Sequence, residues 1–539
     1  MLARFVELCF AMRAFLLVLI GGAVCYNYTQ SVTVSDVFWM TLVQLPTFVV
    51  LAFAYDWAKG YFAGRRGWVS TALDVAFAIF VGLTIVECFL CLFVGSGFTP
   101  AVLTFLFQTD AGESQGFVQA YLANKRFLLF VALLVLSWGL FWCVTYLLSR
   151  WSPPRTWLRL LVSACLVLVF MFPAYPCTCV SRLVLASRHY FQSRPDGNEV
   201  CSDTKVRSVC AKPEAVVVII GEAFSKHHSS LYGYEKQTNP CLEAYVTSGN
   251  LYTFHDVVAP YNKTHMMLKE LLSMHSVDSP ESWNAYPLWP QIFKDAGYYV
   301  AFVSNQVPSS ESRWNESYFF QNKDVEQKCF DYRNPYVYRF DEGIFNELQS
   351  ISGLRDDPNE LTILHLKGQH IYSTNNFPHE RFTCFHPSDY LPYRFSIDSR
   401  QVQELADYDN ATRYNDHVVA RMIDYYSDRD AIVVYLSDHG EEVYDYRPFL
   451  GRTHEEEPTR QEIRCQYEIP FMIYMSDEYK FRHPDVAERV QGAVGRKFMS
   501  DDLPHLLLGV SGIETEWYDS RRDLLSRDFN EDRKRVYGY

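Results

Sequence analysis

The sequence predicts a membrane-anchored α/β protein, with five transmembrane helices followed by one α/β domain built on a mostly parallel sheet. Three observations predict it. Five apolar runs of about 20 residues, the length that crosses roughly 30 Å of hydrocarbon, follow one another in the N-terminal part of the chain. Charge is divided unevenly: up to Tyr175 there are ten Lys or Arg against seven Asp or Glu, and beyond it 39 against 55, so the halves carry +3 and −16. From Ala215 onward, short β-branched runs alternate with longer amphipathic stretches, the pattern of parallel strands covered by helices.

The apolar runs lie near Phe10 to Tyr26, Val37 to Tyr55, Thr71 to Val94, Phe127 to Leu148 and Trp157 to Tyr175. Five in succession are more than the core helices of one soluble domain require, so 1–175 is expected to be a transmembrane domain. Basic residues in short loops stay on the cytoplasmic side. Arg4 and Arg13, then Lys59, Arg65 and Arg66, then Arg150, Arg155 and Arg159 fall at alternate ends of the spans, and the loop from Asn27 to Asp36 has none. Lys125 and Arg126 break the pattern, in a longer loop where the rule is weaker. An odd number of spans starting inside places everything after Tyr175 outside. The first run lacks a small-residue cleavage site and reads as a retained anchor. Glu87, near the outer end of the third span, is costly in lipid and is expected to face a polar cavity or another helix.

Residues 176–213 read as a linker with an interfacial helix around Arg182 to Tyr190. Eight of the 14 cysteines follow Tyr175, an even number suited to an oxidising compartment, and Cys201 with Cys210 is the pair best placed for a disulfide. No CxxC pair with zinc-finger spacing occurs. The net charge of −13 argues against a nucleic-acid partner, and 16% aromatic residues exclude wholesale disorder.

Residues 214–539 make one large domain. Its strand candidates are Ala215 to Ile220, Tyr298 to Ser304, Leu361 to Leu366, Ala431 to Leu436 and Ile469 to Met475. Open α/β sheets bind ligands at the carboxyl ends of their strands. Four of these ends carry Gly221-Glu222, Asn305-Gln306, His365 with His370, and Asp438-His439-Gly440. Two carboxylates and an imidazole, Glu222, Asp438 and His439, are a donor set suited to zinc.

The wider strings carry a resemblance. Gly221-Glu222-Ala-Phe-Ser-Lys-His-His228-Ser-Ser-Leu231-Tyr232-Gly233-Tyr234, then Thr264, His365-x-x-Gly368-x-His370, Tyr408-Asp409-Asn410, Ser437-Asp438-His439-Gly440-Glu441 and His454 together resemble the membrane phosphoethanolamine transferases of the alkaline phosphatase and sulfatase superfamily. The order, the spacing and the five preceding spans extend the likeness over nearly the whole chain. It implies a sulfatase-like periplasmic domain with one zinc ion held by Glu222, Thr264, Asp438 and His439, and Thr264 as the nucleophile. Bound zinc lowers a hydroxyl's pKa as it does that of water, and polarises phosphoryl oxygens. His370 and His454 resemble the histidines that hold a second zinc or the substrate phosphate, although Ile371 replaces the usual Gly. In the membrane half, Gln108-Thr109-Asp110-x-x-Glu113 resembles the external loop that lines the lipid head-group cavity, with Thr109 and Glu113 as contacts and Phe105 in place of the usual Asn. Ala223 and Lys226 replace a Ser and an Arg, and Glu441 with Glu442 is read as supporting or solvated.

The resemblance implies an enzyme of a bacterial inner membrane, with its catalytic domain in the periplasm. It would move phosphoethanolamine from phosphatidylethanolamine to lipid A, a core sugar of lipopolysaccharide or another envelope acceptor. On lipid A the added ammonium would weaken binding of cationic peptides such as polymyxin. A phosphoglycerol transferase or a phosphatase of the same superfamily, or a non-catalytic sensor of lipid or zinc, are the competing readings. A hydrolytic sulfatase is disfavoured, because no Cys sits in a C/S-x-P-x-R motif.

Overall fold

The computed structural model describes residues 18–27, 34–63, 67–94, 97–99, 102–103, 127–128, 130–132, 178–192, 200–209, 213–306, 323–351, 354, 359–370, 372–390, 397–453 and 458–538. The chain divides into two compact units, Met1–Asp196 and Gly197–Tyr539.

In the first unit, helices α1 (Val18–Asn27), α2 (Val34–Ala63) and α3 (Gly67–Phe89) fall on the first three apolar runs. Met40–Lys59 and Trp68–Leu92 are long and apolar enough to cross a membrane. Large apolar side chains such as Phe38, Val43, Trp68 and Ile79 point outward from them, as lipid-facing helices require. Of the fourth expected span only 127–128 and 130–132 are described, and the fifth lies outside the described residues, as do Thr109 and Glu113. Polar side chains inside this unit find one another: Asn27 Nδ2 donates to Thr41 Oγ1 at 3.0 Å and to Gln44 Oε1 at 3.3 Å. Helix α4 (Cys179–Gln192) occupies the stretch expected to be interfacial. It explains Glu87. Arg182 Nε and Nη2 donate to the two Glu87 carboxylate oxygens at 2.7 and 2.5 Å, and the guanidinium lies 3.9 Å from the centre of the Tyr26 ring. A buried acid therefore faces a helix that answers it with a bidentate partner.

The second unit is organised by a seven-stranded sheet. Its strands are β1 (Ala215–Gly221), β2 (Leu251–Phe254), β3 (Tyr299–Ser304), β4 (Tyr332–Arg333), β5 (Glu360–His365), β6 (Ala431–Ser437) and β7 (Phe471–Met475). The spatial order is β2-β7-β6-β1-β5-β3-β4. All five expected strands are present. Only β7 runs against the others, pairing antiparallel with both β6 and β2. The short edge strands β2 and β4 carry little periodic signal and escape a reading of apolar runs.

Both faces of the sheet are covered, which is why β1 and β6 read as unbroken apolar runs instead of alternating ones. Val216, Val218 and Ile220 enter one core with Ile432, Val434 and Leu436. Val217 and Ile219 enter the other with Val433 and Tyr435. The first core also takes in helix α5 (Thr264–Leu272) through Met267, Leu271 and Leu272. The second is roofed by the 28-residue helix α6 (Ser399–Tyr426), which Asp398 and Gln401 start with reciprocal capping bonds. A strand from the expected linker, Val206–Val209, pairs with Ile513–Thr515 near the C-terminus. Cys210, the expected partner of Cys201, lies outside the described residues.

Candidate active site

Strand register builds the site. β1 and β6 are parallel neighbours with Gly221 opposite Ser437, so the residues that follow, Glu222 and Asp438, leave the sheet side by side. His365 closes β5 on the other flank of β1, opposite Ile220. Thr264 comes from outside the sheet as the first residue of α5, so its position depends on the loop that leads into that helix.

Glu222, Asp438 and His439 are buried, and one donor atom from each lies within 4.8 Å of the others. His439 Nε2 is 3.3 Å from Glu222 Oε1 and 3.2 Å from Asp438 Oδ2. Those two carboxylate oxygens accept no hydrogen bond from the described residues. Asp438 is oriented by its other oxygen, which accepts the N–H of Ala223 at 3.1 Å and of His439 at 2.7 Å. Ala223 adopts a left-handed φ of 53°, an uncommon conformation for a residue with a Cβ. Its amide thereby faces Asp438, and Tyr408 clamps the turn by donating to the Ala223 carbonyl at 2.6 Å and accepting from the Ser225 amide at 2.7 Å. Thr264 Oγ1 completes the group, 3.0 Å from Glu222 Oε2 and 3.2 Å from His439 Nε2.

The electrostatics fit a cation. Burial and the nearby Glu222 charge push the Asp438 carboxyl well above its usual range. Burial, aided by the Arg452 charge, takes His439 down to about 4, which leaves it neutral. Two buried carboxylates this close do not both ionise without a positive charge between them, and a neutral imidazole is what a metal requires. Zinc binds such oxygen and nitrogen donors in tetrahedral sites, and the two orphaned oxygens, His439 Nε2 and Thr264 Oγ1 number four. Among the described residues this is the one such group of three or more acidic, His or Cys side chains.

His370 is half-buried beside Glu222, whose charge it favours, but it is not among the three that converge. His454 lies outside the described residues. Arg452 belongs to none of the motifs, yet its Nη1 abuts His439 Nε2 and its Nε lies 3.3 Å from Glu441 Oε2. Nothing in a lone Arg thirteen residues after His439 announces this, since a short hairpin brings it back. Gln306 also reaches Glu222 Oε2, at 3.1 Å, from the strand end that had flagged it. Glu441 and Glu442 are buried and not solvated, and burial raises the Glu441 carboxyl to about 7.

The remaining motif residues support the site. His228 is ion-paired at 2.6 Å to Asp409, whose other oxygen accepts from Tyr234 at 2.7 Å and Tyr390 at 2.5 Å. Asn410 ties down the 384–385 loop. Gly368, at φ +49°, packs so closely that a Cβ would lie 2.8 Å from the Glu222 carbonyl oxygen.

Residues 214–513 match the sulfatase family, more than half the chain and the whole of this sheet and site. The chain belongs to the sulfatase family. Within that family the relatives it matches over most of its length are phosphoethanolamine transferases. It is 27% identical to phosphoethanolamine transferase EptC of Escherichia coli over 486 residues, 82% of this chain and 80% of that one. The crystal structure of the C-terminal periplasmic domain of EptC from Escherichia coli in complex with Zn aligns with a TM-score of 0.54 and 28% identity, covering 64% of this chain and 93% of that domain. The integral membrane lipooligosaccharide phosphoethanolamine transferase EptA of Neisseria meningitidis aligns along 95% of this chain and 98% of its own, with a TM-score of 0.66 and 16% identity, a likeness of fold. Sulfatase-family membership thus describes the scaffold, while the residue at the centre is a threonine.

Proposed function

We propose that this protein transfers phosphoethanolamine from phosphatidylethanolamine to an envelope acceptor, either lipid A or a sugar of the lipopolysaccharide core, through an ester on Thr264. The observation that carries this reading is Thr264 Oγ1 lying 3.0 Å from Glu222 and 3.2 Å from His439 at the start of a helix, beside two buried carboxylate oxygens that accept no hydrogen bond from the described residues. A binding module has no need of a hydroxyl there.

Zinc held by Glu222, Asp438, His439 and Thr264 would supply a Lewis acid that lowers the hydroxyl's pKa and polarises the phosphoryl oxygens. The chain's own groups do the rest. Thr264 Oγ1 attacks the lipid phosphorus, the new O–P bond forms, and the bond to the diacylglycerol oxygen breaks. The hydroxyl proton leaves along its hydrogen bond to Glu222 Oε2, and a proton ends on the departing diacylglycerol. The start of α5, which Lys263 leaves without a side-chain cap, would turn its positive end toward the phosphoryl oxygens. In the second half, an acceptor hydroxyl or phosphate attacks the same phosphorus and Thr264 is restored. His370 and His454 are proposed to bind the substrate phosphate or a second zinc, and Thr109 with Glu113 to line the head-group cavity. A five-span anchor over 1–175, in the inner membrane with the catalytic domain in the periplasm, would confine the enzyme to the surface where its donor lipid diffuses.

The test is the mass of the Thr264 peptide after the zinc-loaded, detergent-solubilised protein meets phosphatidylethanolamine without acceptor. A phosphoethanolamine adduct, absent in Thr264→Ala and in chelator, is expected. Release of diacylglycerol with no adduct favours a phosphatase, and neither product favours a sensor.

A further inference from the structure

Arg452 is a cation that meets the same imidazole nitrogen as the reacting hydroxyl, His439 Nε2, and the fold goes to some length to place it there. Glu442–Val443 and Leu450–Gly451 form a small antiparallel hairpin with Gly451 opposite Glu442. One step along this register, Arg452 comes to face Glu441, and its Nε lies 3.3 Å from the Glu441 carboxylate. Gly451 makes the return with a φ of +136°, a conformation open to few residues other than glycine. Asn262, two residues before Thr264, sews the hairpin to the nucleophile loop. Its Nδ2 donates to the Thr453 carbonyl at 2.9 Å, and its own carbonyl accepts from Arg452 Nη1 at 3.2 Å. The guanidinium is thus held from two sides while its side chain keeps 20% of its surface exposed.

Arg452 Nη1 and Thr264 Oγ1 both abut His439 Nε2. A group carried on Thr264 Oγ1 therefore grows out beside a planar guanidinium, whose forked donors match two oxygens of one phosphoryl group. We propose that Arg452 is a substrate-contacting residue that grips the phosphoryl oxygens of the group carried on Thr264, with Glu441 as its positioning residue. The assignment rests on the reading of Thr264 as the group that receives phosphorus. An arginine whose only duty was to neutralise Glu441 would need neither the second tie to the nucleophile loop nor an open face.

The proposal is tested on the full-length, zinc-loaded protein in detergent, with radiolabelled inorganic phosphate as the probe in equilibrium dialysis. Zinc content and melting temperature are read on the same samples. Arg452→Ala is expected to keep one zinc per chain and lose at least about tenfold in phosphate affinity. Arg452→Lys, a point charge without the fork, should fall between, and it serves as the folded comparison should the alanine variant be unstable. Glu441→Gln should weaken phosphate less than Arg452→Ala. Phosphate affinity equal to wild type in Arg452→Ala overturns the proposal. So does loss of zinc in both Arg452 variants, which would make the arginine part of the metal support. If phosphate binding depends on Arg452 while the wild type forms no ester with phosphatidylethanolamine, Arg452 stands and the donor reading falls.

Discussion

Two clusters of buried charge sit in the same domain and are built in opposite ways. At the carboxyl edge of the sheet, Glu222 and Asp438 point oxygens at His439 that accept no hydrogen bond from the described residues. Near the C-terminus, Arg533 Nη2 and Nη1 donate to Asp501 and Asp502 at 2.7 and 2.6 Å, Nη2 also donates to Ser276 Oγ at 2.7 Å and lies 3.3 Å from Asp278 Oδ1, and Arg522 pairs with Asp502. The second cluster answers each carboxylate with a guanidinium, and it fastens the C-terminal tail to the body of the domain. Paired buried charges hold structure, and unpaired ones converging on a point await a ligand.

Removing one member of each cluster should have opposite effects. Asp438→Asn should abolish stoichiometric zinc binding and transfer, while leaving the apo melting temperature close to wild type or higher, because it deletes an uncompensated acid. Zinc added to wild type should raise the melting temperature, as any ligand of the native state does, and add nothing to the variant. Elemental analysis and a thermal scan with and without chelator check both. Arg533→Met should do the reverse, costing about 3–5 kcal/mol by leaving buried Asp501 without its guanidinium, Asp502 keeping Arg522, while zinc content stays at the wild-type value. A variant that loses zinc as well would show that the two clusters are not independent.

Gly368→Ala sharpens the same point at smaller scale. The added Cβ would meet the Glu222 carbonyl at 2.8 Å from a backbone with positive φ, so the cost should be about 1–3 kcal/mol by denaturant unfolding. Because the strain falls on the residue that carries the unpaired carboxylate, zinc affinity should drop with stability. At Gly249, where φ is +75° and nothing lies within 4 Å of an added Cβ, the same exchange should leave zinc untouched.

The strands β1, β3, β5, β6 and β7 were legible because each is a β-branched run long enough to announce a covered strand, and the ends of four carried the polar residues that matter. Glu222, Asp438 and His439 could be placed together because parallel register converts sequence position at a strand end into spatial neighbourhood. Thr264 could not be placed that way. It arrives on a helix whose packing, through Met267 and Leu271, is a tertiary fact, and only the resemblance to a family singled it out. Arg452 was invisible for a related reason, since a two-residue hairpin has too little pattern to read. His228 was legible as a motif residue yet silent about its role, because its partners Asp409 and Asp445 lie far along the chain.

His228 gives the smallest effect and the one that places it on the structural side of the comparison. Burial opposes its charge, but Asp409 at 2.6 Å and Asp445 at 3.3 Å outweigh that and hold the imidazole up at about 10. The usual value in an unfolded chain is about 6.5. A pKa raised in the folded state means stabilisation that is complete below about 6.5 and lost as pH rises through about 10. His228→Gln, which cannot take up the proton, should therefore be least stable relative to wild type at pH 6, and the gap should close with rising pH by no more than about 1.4 kcal/mol per unit. Denaturant unfolding of the two proteins at pH 6, 7.5 and 9 measures it. A gap independent of pH would mean that His228 is neutral in the folded protein, leaving Asp409 without its counter-charge and moving that cluster toward the unpaired kind.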